Sequence, residues 1–370
     1  MSTKTTIIIS VAAFALFVFL IVVLPLLLGV RPAPSKPAAE EKPAEVIPDQ
    51  GVFRSDDGGR TWQAKFRTKD EVTTIAAFKV NWLIADPLDA ARLYLATDGN
   101  GLWVSTNRGE HWEPVVDQAG ILEPEANVLA LAVNPANTQA WYAAVFQKNR
   151  GRVLRTFDGG KTWREIYFTP LERFGVFDLH YDPASGILTI VTGQGGVLES
   201  EDKGDTWRVV RWFADGLVRL MVSPVNPGVR FVTTPGGSIF RTENRGETWV
   251  DATPALREFS GSTQNQRWLM DRRGVIYLGS NRGLLASYDS AATFEAPPLI
   301  IPPEALPVLA IAVDFQDSSR LIVAAGNQLY HSSDRGETWA ILPSPTATKR
   351  ISNLLIDREK PKTIYAVVQP

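Results

Sequence analysis

The chain has 370 residues, of which 45% are hydrophobic and 21% are charged, and these proportions are typical of a folded protein. The absence of cysteine excludes disulfide bonds, thiolate metal sites and a cysteine nucleophile. Because 38 basic residues are balanced by 40 acidic ones, the charge argues against a nucleic-acid-binding protein that relies on attraction to phosphate.

A long apolar segment lies near the amino terminus. The 24 residues from Ile7 to Val30 include no charge, and as a helix they would span about 36 Å, against a hydrocarbon core of about 30 Å. We predict that residues 1–30 form a single-pass anchor in the cell membrane. A cleaved signal peptide is the alternative, but its apolar region is usually only about 7 to 15 residues long. Because few residues precede the segment, we expect the rest of the chain on the extracytoplasmic side.

Residues 31–48 have the sequence RPAPSKPAAEEKPAEVIP, which is rich in proline, alanine and charge and lacks apolar periodicity. Such a composition is typical of an extended, semi-rigid spacer. We therefore predict a stalk over residues 31–48 and a folded domain over residues 49–370.

Within that domain an eight-residue pattern of the form S/T-x-D/N-x-G-x-T-W occurs seven times, first as SDDGGRTW over residues 55–62. The closing aromatic residues are 50, 51, 44, 42, 45 and 45 positions apart. Such regular self-similarity is the sequence signature of a repeat architecture. The acid or amide and the aromatic residue of the seven copies are Asp57 and Trp62, Asn107 and Trp112, Asp158 and Trp163, Asp202 and Trp207, Asn244 and Trp249, Asp289 and Phe294, and Asp334 and Trp339.

Each copy of the pattern predicts a tight turn between two antiparallel strands. The Asp or Asn side chain can accept main-chain N–H groups within the turn, and glycine adopts a backbone conformation that other residues disfavour. The aromatic residue is expected to pack on the sheet, so the role of these residues is structural. The sixth copy has Ala291 in place of glycine and Phe294 in place of tryptophan, and we expect a weaker turn there.

A second repeat alternates with the first. In it an apolar strand ends in Asp or Asn, usually before proline, and another strand begins a few residues later. Together the two repeats form a unit of about 45 residues with four strands, the size of one propeller blade. The turn residues of the second repeat are Asp86, Asn134, Asp182, Asn226, Asp271, Asp314 and Asp357.

The order of the repeats predicts how the ring closes. The folded domain begins with the second hairpin of a unit, at Gly51, and ends with the first hairpin of a unit, near Val368. Seven hairpins of each kind make seven complete blades if the two ends share one, which would leave no exposed sheet edge at the junction. We therefore predict an all-β fold, a seven-bladed β-propeller closed by a blade shared between the N- and C-terminal strands.

The eight-residue pattern resembles the Asp-box, or BNR repeat. Propellers of this kind include sialidases, xyloglucan-degrading glycoside hydrolases, sortilin-type receptors and photosystem II assembly factors. In blade number and length the chain is most similar to the last group, and that resemblance implies a binding protein that assists assembly of a membrane complex. The Asp-box itself specifies the fold strongly and the function weakly.

The resemblance to the enzymes is less complete. Sialidases have an early Phe/Tyr-Arg-Ile-Pro segment, which the sequence Phe53-Arg54-Ser55-Asp56 does not match. The xyloglucan-degrading enzymes resemble a pair of propellers around a cleft with two catalytic carboxylates, and this chain has the length of one ring. Sortilin-type receptors have a larger propeller followed by cysteine-rich modules, which this chain lacks.

Candidate binding residues lie on one face of the predicted ring. Both kinds of turn fall on the same face, so the loops between units and those between second and third strands line the opposite one, which we call the loop face. Arginines on these loops could together bind a carboxylate or an acidic segment, and the alternative is four solvated side chains spread around a rim. The four arginines are Arg150, Arg173, Arg257 and Arg282.

Aromatic and acidic residues complete the candidates. Phe174, Trp212 and Phe213 could anchor a protein interface, or they could cover the edge of a blade. Glu172 and Asp215 are the first candidates for a hydrolase, which needs two carboxylates about 5 to 9 Å apart. No local pattern indicates a metal site or a cofactor.

The sequence thus favours a membrane-anchored, non-catalytic propeller that binds a protein or peptide partner and serves as an assembly or scaffolding factor. No nucleic-acid partner is expected. The alternative is a surface glycoside hydrolase, similar to sialidases or xyloglucanases, or a carbohydrate-binding propeller with a glycan as its ligand.

Overall fold

The computed structural model describes residues 48–369. The predicted anchor, Ile7 to Val30, and the predicted stalk up to residue 47 lie outside the described residues. Within residues 48–369 no helix is long and apolar enough to cross a membrane.

The described residues form seven antiparallel sheets. Strands β1 and β2 come first in the chain and belong to the last sheet, and six sheets follow in chain order. These two strands are β1 (Gly51–Ser55) and β2 (Gln63–Ala64). The next three sheets are blades 1 to 3. Their strands are β3 (Val80–Ala85), β4 (Leu93–Thr97), β5 (Leu102–Ser105) and β6 (Glu113–Pro114) in blade 1; β7 (Asn127–Val133), β8 (Trp141–Gln147), β9 (Arg150–Thr156) and β10 (Arg164–Phe168) in blade 2; and β11 (Val176–Tyr181), β12 (Leu188–Thr192), β13 (Gly196–Ser200) and β14 (Arg208–Trp212) in blade 3.

Blades 4 to 7 repeat the same order, with one short 3-10 helix, Thr253–Leu256, in the loop between blades 4 and 5. Their strands are β15 (Arg219–Val222), β16 (Arg230–Thr233), β17 (Ile239–Thr242) and β18 (Val250–Asp251) in blade 4; β19 (Arg267–Met270), β20 (Ile276–Ser280) and β21 (Gly283–Ser287) in blade 5; β22 (Val308–Val313), β23 (Leu321–Ala325), β24 (Gln328–Ser332) and β25 (Ala340–Leu342) in blade 6; and β26 (Arg350–Ile356) and β27 (Ile364–Gln369), which join β1 and β2 in blade 7.

The shared blade is confirmed. Its strand order is β2-β1-β27-β26, and β1 pairs with β27 along its whole length, from Gly51 opposite Val368 to Ser55 opposite Ile364. The all-β, seven-bladed propeller predicted from the two repeats is therefore present, and main-chain hydrogen bonds between the two chain ends close it.

The apolar core lies between blades. Strands alternate inward and outward side chains, and because each sheet packs against a sheet on either side, both of its faces are apolar. Seven buried clusters result among the described residues, one at each junction between neighbouring blades. At the junction of blades 7 and 1, for example, Val52 and Tyr365 pack with Leu95 and the fully buried Trp112.

The Asp-box turns have the predicted structural role. In the third copy the Thr156 hydroxyl donates to Asp158 Oδ1 over 2.7 Å, and the other carboxylate oxygen accepts the Thr162 hydroxyl over 2.6 Å. The Thr162 N–H also donates to Asp158, at 3.0 Å. Because these bonds stabilise the charged form, they lower the pKa of Asp158 to about 2.

The sixth turn keeps its hydrogen bonds, with Ala291 N–H donating to Ser287 Oγ over 2.8 Å. Ala291 has φ of 62°, a conformation that costs an L-residue about 1 to 2 kcal/mol. The strand that should follow is reduced to one bridge, between Ala286 and Glu295, so blade 5 has three strands. The turn itself forms as in the other copies, and the departure lies in the outer strand.

Candidate functional site

A concave surface on the loop face lies at the mouth of the central channel. The first strand of each blade begins at the loop face, and the first residues of β3, β15, β19 and β26 line a cavity of about 560 Å³ there. A cavity of this size lies within the range of ordinary ligand sites. Its aromatic and cationic lining side chains are Trp82, Phe177, Trp268, Arg219 and Arg267.

Arg219 crosses this cavity. The side chain starts from blade 4, and its guanidinium carbon lies 4.5 Å from the ring centre of Trp82 in blade 1. Its Nη1 is 3.1 Å from Asp178 Oδ2 in blade 3. Trp82 is in turn held by its Nε1–H, which donates to the Leu129 carbonyl over 2.9 Å. The side chain of Arg219 is thus fixed at both ends by an ion pair and a cation–π contact.

Asp178 is buried beneath the cavity. It accepts the N–H groups of Leu179 at 2.9 Å and of Leu220 at 3.0 Å, in addition to the guanidinium of Arg219. Burial raises the pKa of Asp178, and the charge of Arg219 and these hydrogen bonds oppose that rise. With its oxygens occupied, Asp178 serves to position Arg219.

Arg267 lies in the same cavity without an acidic partner. Its Nη1 donates to the Gln266 carbonyl over 3.2 Å, and among residues 48–369 no carboxylate lies within ion-pair distance of it. The surrounding cavity walls partly desolvate Arg267 and so lower its pKa, and the nearby charge of Arg219 lowers it further, although the side chain is still exposed to solvent.

Amide side chains form a polar wall across blades 7, 1 and 2. Asn81 Nδ2 donates to Asn127 Oδ1 and to the Val128 carbonyl, each over 2.8 Å. Gln369 Nε2 donates to the Val80 carbonyl over 2.7 Å. Amides of this kind can pair with the hydroxyl groups of a ligand, and their mutual hydrogen bonds fix their orientation.

The arginines predicted from the sequence do not line the cavity. Arg150 lies 3.6 Å from Glu172 and over the Phe168 ring. Arg282 lies 3.3 Å from Glu304. Arg173 and Arg257 are exposed. The described contacts do not bring these four arginines together, and two of them, Arg150 and Arg282, are half-buried and paired with acids.

The predicted aromatic anchors separate into two kinds. Phe213 is buried between blades 3 and 4, with its ring centre 4.8 Å from Phe240 and 5.4 Å from Trp249, so the prediction that it is a surface anchor is wrong. Phe213 is part of the apolar core because its loop folds back over the blade. Trp212 and Phe174 remain exposed on the loop face.

The two acids predicted for a hydrolase, Glu172 and Asp215, are both exposed on loops that lead into neighbouring blades. Glu172 accepts from Asn149 Nδ2 over 3.2 Å. A third acid, Asp98, follows β4 directly beside the cavity, because Thr97 pairs with the lining residue Val80. Its carboxylate is 3.4 Å from Lys79 Nζ.

The comparisons with known proteins agree with the propeller fold. A model of the BNR/Asp-box repeat matches residues 53–64. The chain is a seven-bladed Asp-box propeller. A xyloglucanase from a Paenibacillus species is 27% identical over 76% of this chain, which is 30% of that relative. This chain therefore spans less than a third of the length of that curated relative.

Two solved structures share the fold of the Asp-box propeller. The GH74 xyloglucanase from Xanthomonas campestris has a TM-score of 0.64 at 19% identity, over 85% of this chain and 52% of that chain. YCF48, solved bound to a D1 peptide, has a TM-score of 0.59 at 14% identity, over 87% of this chain and 97% of that chain. At such identities these likenesses establish the fold alone.

The function predicted from the sequence is corrected by these comparisons. A non-catalytic assembly factor was expected from blade number and length, which many Asp-box propellers share. The curated relatives that match this chain at 27–30% identity are xyloglucanases, and they support the alternative, a glycoside hydrolase, over the scaffold.

Proposed function

We propose that this propeller acts on a glycan, as a glycoside hydrolase that holds a polysaccharide segment across its loop face. The observation that carries the proposal is the similarity to a xyloglucanase over 76% of the chain. The cavity at the channel mouth supports it, because aromatic rings and amide groups are the side chains that bind sugar rings and hydroxyls.

The reaction would require a carboxylic acid to protonate the leaving oxygen and a carboxylate to activate water or attack the anomeric carbon. Exposed acids on the loop face are the candidates for these roles. Glu172 and Asp215 lie on successive blade-joining loops, and Asp98 follows Thr97, which pairs with the cavity-lining residue Val80. We propose that the active acids are among these three.

Turnover of defined glycans tests the proposal. The purified full-length chain is incubated with neutral glycans, xyloglucan and unsubstituted β-1,4-glucan, and with acidic ones, glucuronoxylan and polygalacturonate, and new reducing ends are measured. We expect hydrolysis that falls at least about 100-fold in the responsible variant among Glu172→Gln, Asp215→Asn and Asp98→Asn. Glu247→Gln is the matched control, since Glu247 is exposed at an Asp-box turn on the opposite face.

The outcomes separate the hydrolase from the simpler alternative. Binding of a glycan without new reducing ends would favour a carbohydrate-binding propeller. The proposal would be refuted if the folded protein neither bound nor hydrolysed any glycan. Equal loss of activity in Glu247→Gln would show that the acids act through stability and take no part in the reaction.

We further propose that Ile7 to Val30 anchors the propeller outside the cytoplasmic membrane, close to its substrate. The basis is the 24-residue apolar run in the sequence. Protease added to intact cells should digest the propeller. If the propeller is protected until the cells are lysed, the proposed orientation is wrong.

A further inference from the structure

The central cavity has an unbalanced positive charge. Its lining includes the guanidinium groups of Arg219 and Arg267 and, among the described residues, no carboxylate. Asp178 lies behind the lining and forms its ion pair with Arg219. One full positive charge, that of Arg267, is therefore left without a counter-charge from the protein.

The surroundings of Arg219 leave part of its hydrogen-bonding capacity free. Its Nη1 contacts Asp178 and its plane covers Trp82, but its Nε is buried with no hydrogen-bond partner. Because this Nε is closed off from solvent, an anionic ligand in the cavity would compensate the unpaired charge of Arg267 and would approach only the exposed part of the Arg219 guanidinium.

We propose that the cavity binds the carboxylate of an acidic sugar, so that the glycan held by this propeller contains uronic acid residues. This inference rests on the proposed function and specifies its substrate class. A carboxylate matches the planar fork of a guanidinium and can accept two N–H groups at once. The other polar lining groups, among them Asn353, Thr263 and Thr234, are suited to the uncharged hydroxyls of the same ring.

The position of the arginines sets what the site recognises. Arg219 is held rigidly by Asp178 and Trp82, so it presents a fixed surface at the base of the cavity. Arg267 has no such restraint and is solvent-accessible, so its guanidinium can turn toward a ligand that enters from the loop face. Arg267 is therefore the binding residue, and Arg219 fixes the location of the carboxylate.

The test compares matched oligosaccharides. Binding of tetragalacturonate and of a glucuronate-substituted xylotetraose to the full-length chain is measured by calorimetry, each against its carboxyl-reduced counterpart. We expect at least one acidic probe to bind at least about 10-fold more tightly than its reduced form, since a carboxylate accepts charge-assisted hydrogen bonds from a guanidinium and the reduced hydroxymethyl group is neutral. Arg267→Gln should remove most of this preference.

Two further variants control for stability and for charge. Arg267→Lys keeps the charge but not the fork, so it should retain part of the preference. Arg60→Gln removes an exposed arginine at an Asp-box turn on the opposite face and should leave binding unchanged. Thermal unfolding of each variant shows whether the ring is intact. If Arg267→Gln does not fold, the partial loss of the preference for acidic probes in Arg267→Lys takes its place as the test.

Several results would overturn the inference. If acidic and reduced probes bind or are cleaved equally, the substrate is neutral, and the proposed function stands while the uronic acid site does not. If a peptide with a free C-terminal carboxylate binds in an Arg267-dependent manner and its amide does not, while the sugars do not bind, the ligand is a peptide. If no glycan, acidic or neutral, binds or is cleaved, the proposed function fails as well.

Discussion

Substitution of Trp112 tests whether the Asp-box tryptophans stabilise the ring through burial between blades. Trp112 is fully buried, and its Nε1–H donates to the Lys65 carbonyl over 3.0 Å in the junction of blades 7 and 1. Truncation of such a side chain to alanine costs about 3 to 5 kcal/mol. Trp62 occupies the same position of another Asp-box but is only half-buried, so Trp62→Ala should cost about half as much.

These energies convert to measurable shifts of the melting temperature. At about 2.1 cal/mol/K per residue, unfolding of about 320 residues has an entropy of roughly 0.7 kcal/mol/K. Trp112→Ala should therefore lower the Tm by about 6 °C, and Trp62→Ala by about 3 °C. Trp112→Phe keeps most of the apolar contact and loses the hydrogen bond, so an intermediate shift is expected.

The assay is thermal unfolding followed by circular dichroism and tryptophan fluorescence. Equal shifts for Trp112→Ala and Trp62→Ala would refute the reasoning, because the contribution of the tryptophan would then come from the turn that both copies share. Different midpoints for the two spectroscopic signals would show that the blades unfold separately, and the single-transition arithmetic would not apply.

Three further changes test the packing and the electrostatics. Gly195→Ala should destabilise the protein by about 3 kcal/mol, because Gly195 has φ of 96° and an added Cβ would lie 2.3 Å from the main-chain oxygen of Phe213. Arg108→Gln should cost about 2 kcal/mol, since it leaves the buried Asp357 carboxylate without the guanidinium 3.1 Å away. Burial lowers the pKa of His180 to about 4, so only the unfolded chain takes up that proton below about pH 6.5, and about 2 kcal/mol of stability should be lost between pH 7.5 and pH 5.

Each of these changes has a matched control, measured by urea unfolding. Gly99→Ala has the same unfavourable φ, 88°, but no neighbouring atom within 4 Å, so it should cost only about 1 kcal/mol. Lys69→Gln breaks an ion pair in which both side chains are exposed, and a loss below about 1 kcal/mol is expected. His180→Gln should remove about 2 kcal/mol of the pH-dependent difference and leave a smaller part from His331, whose pKa burial also lowers. An unchanged dependence in that variant would assign the whole difference to other groups.

Features of the site that depend on neighbouring residues in the chain could be predicted from the sequence, and features that depend on contacts between distant residues could not. Rim residues such as Arg150 and Arg282 could be recognised because they lie on loops, and their ion pairs with Glu172 and Glu304 could not be foreseen from their spacing. The burial of Phe213 could not be predicted either. A loop side chain can point outward or into the core, and only the tertiary contact with Phe240 shows that Phe213 points into the core.

The sequence by itself determined the fold of this protein. Two alternating repeats of known turn chemistry specified the number of strands, the number of blades and the shared blade, because each turn is a local interaction within a few residues. Only the tertiary structure decided the candidate site. Trp82, Asp178 and Arg219 belong to three blades and are far apart in the chain, so only closure of the ring brings them to one cavity. In the sequence each of them is one polar or aromatic residue in an ordinary inner strand.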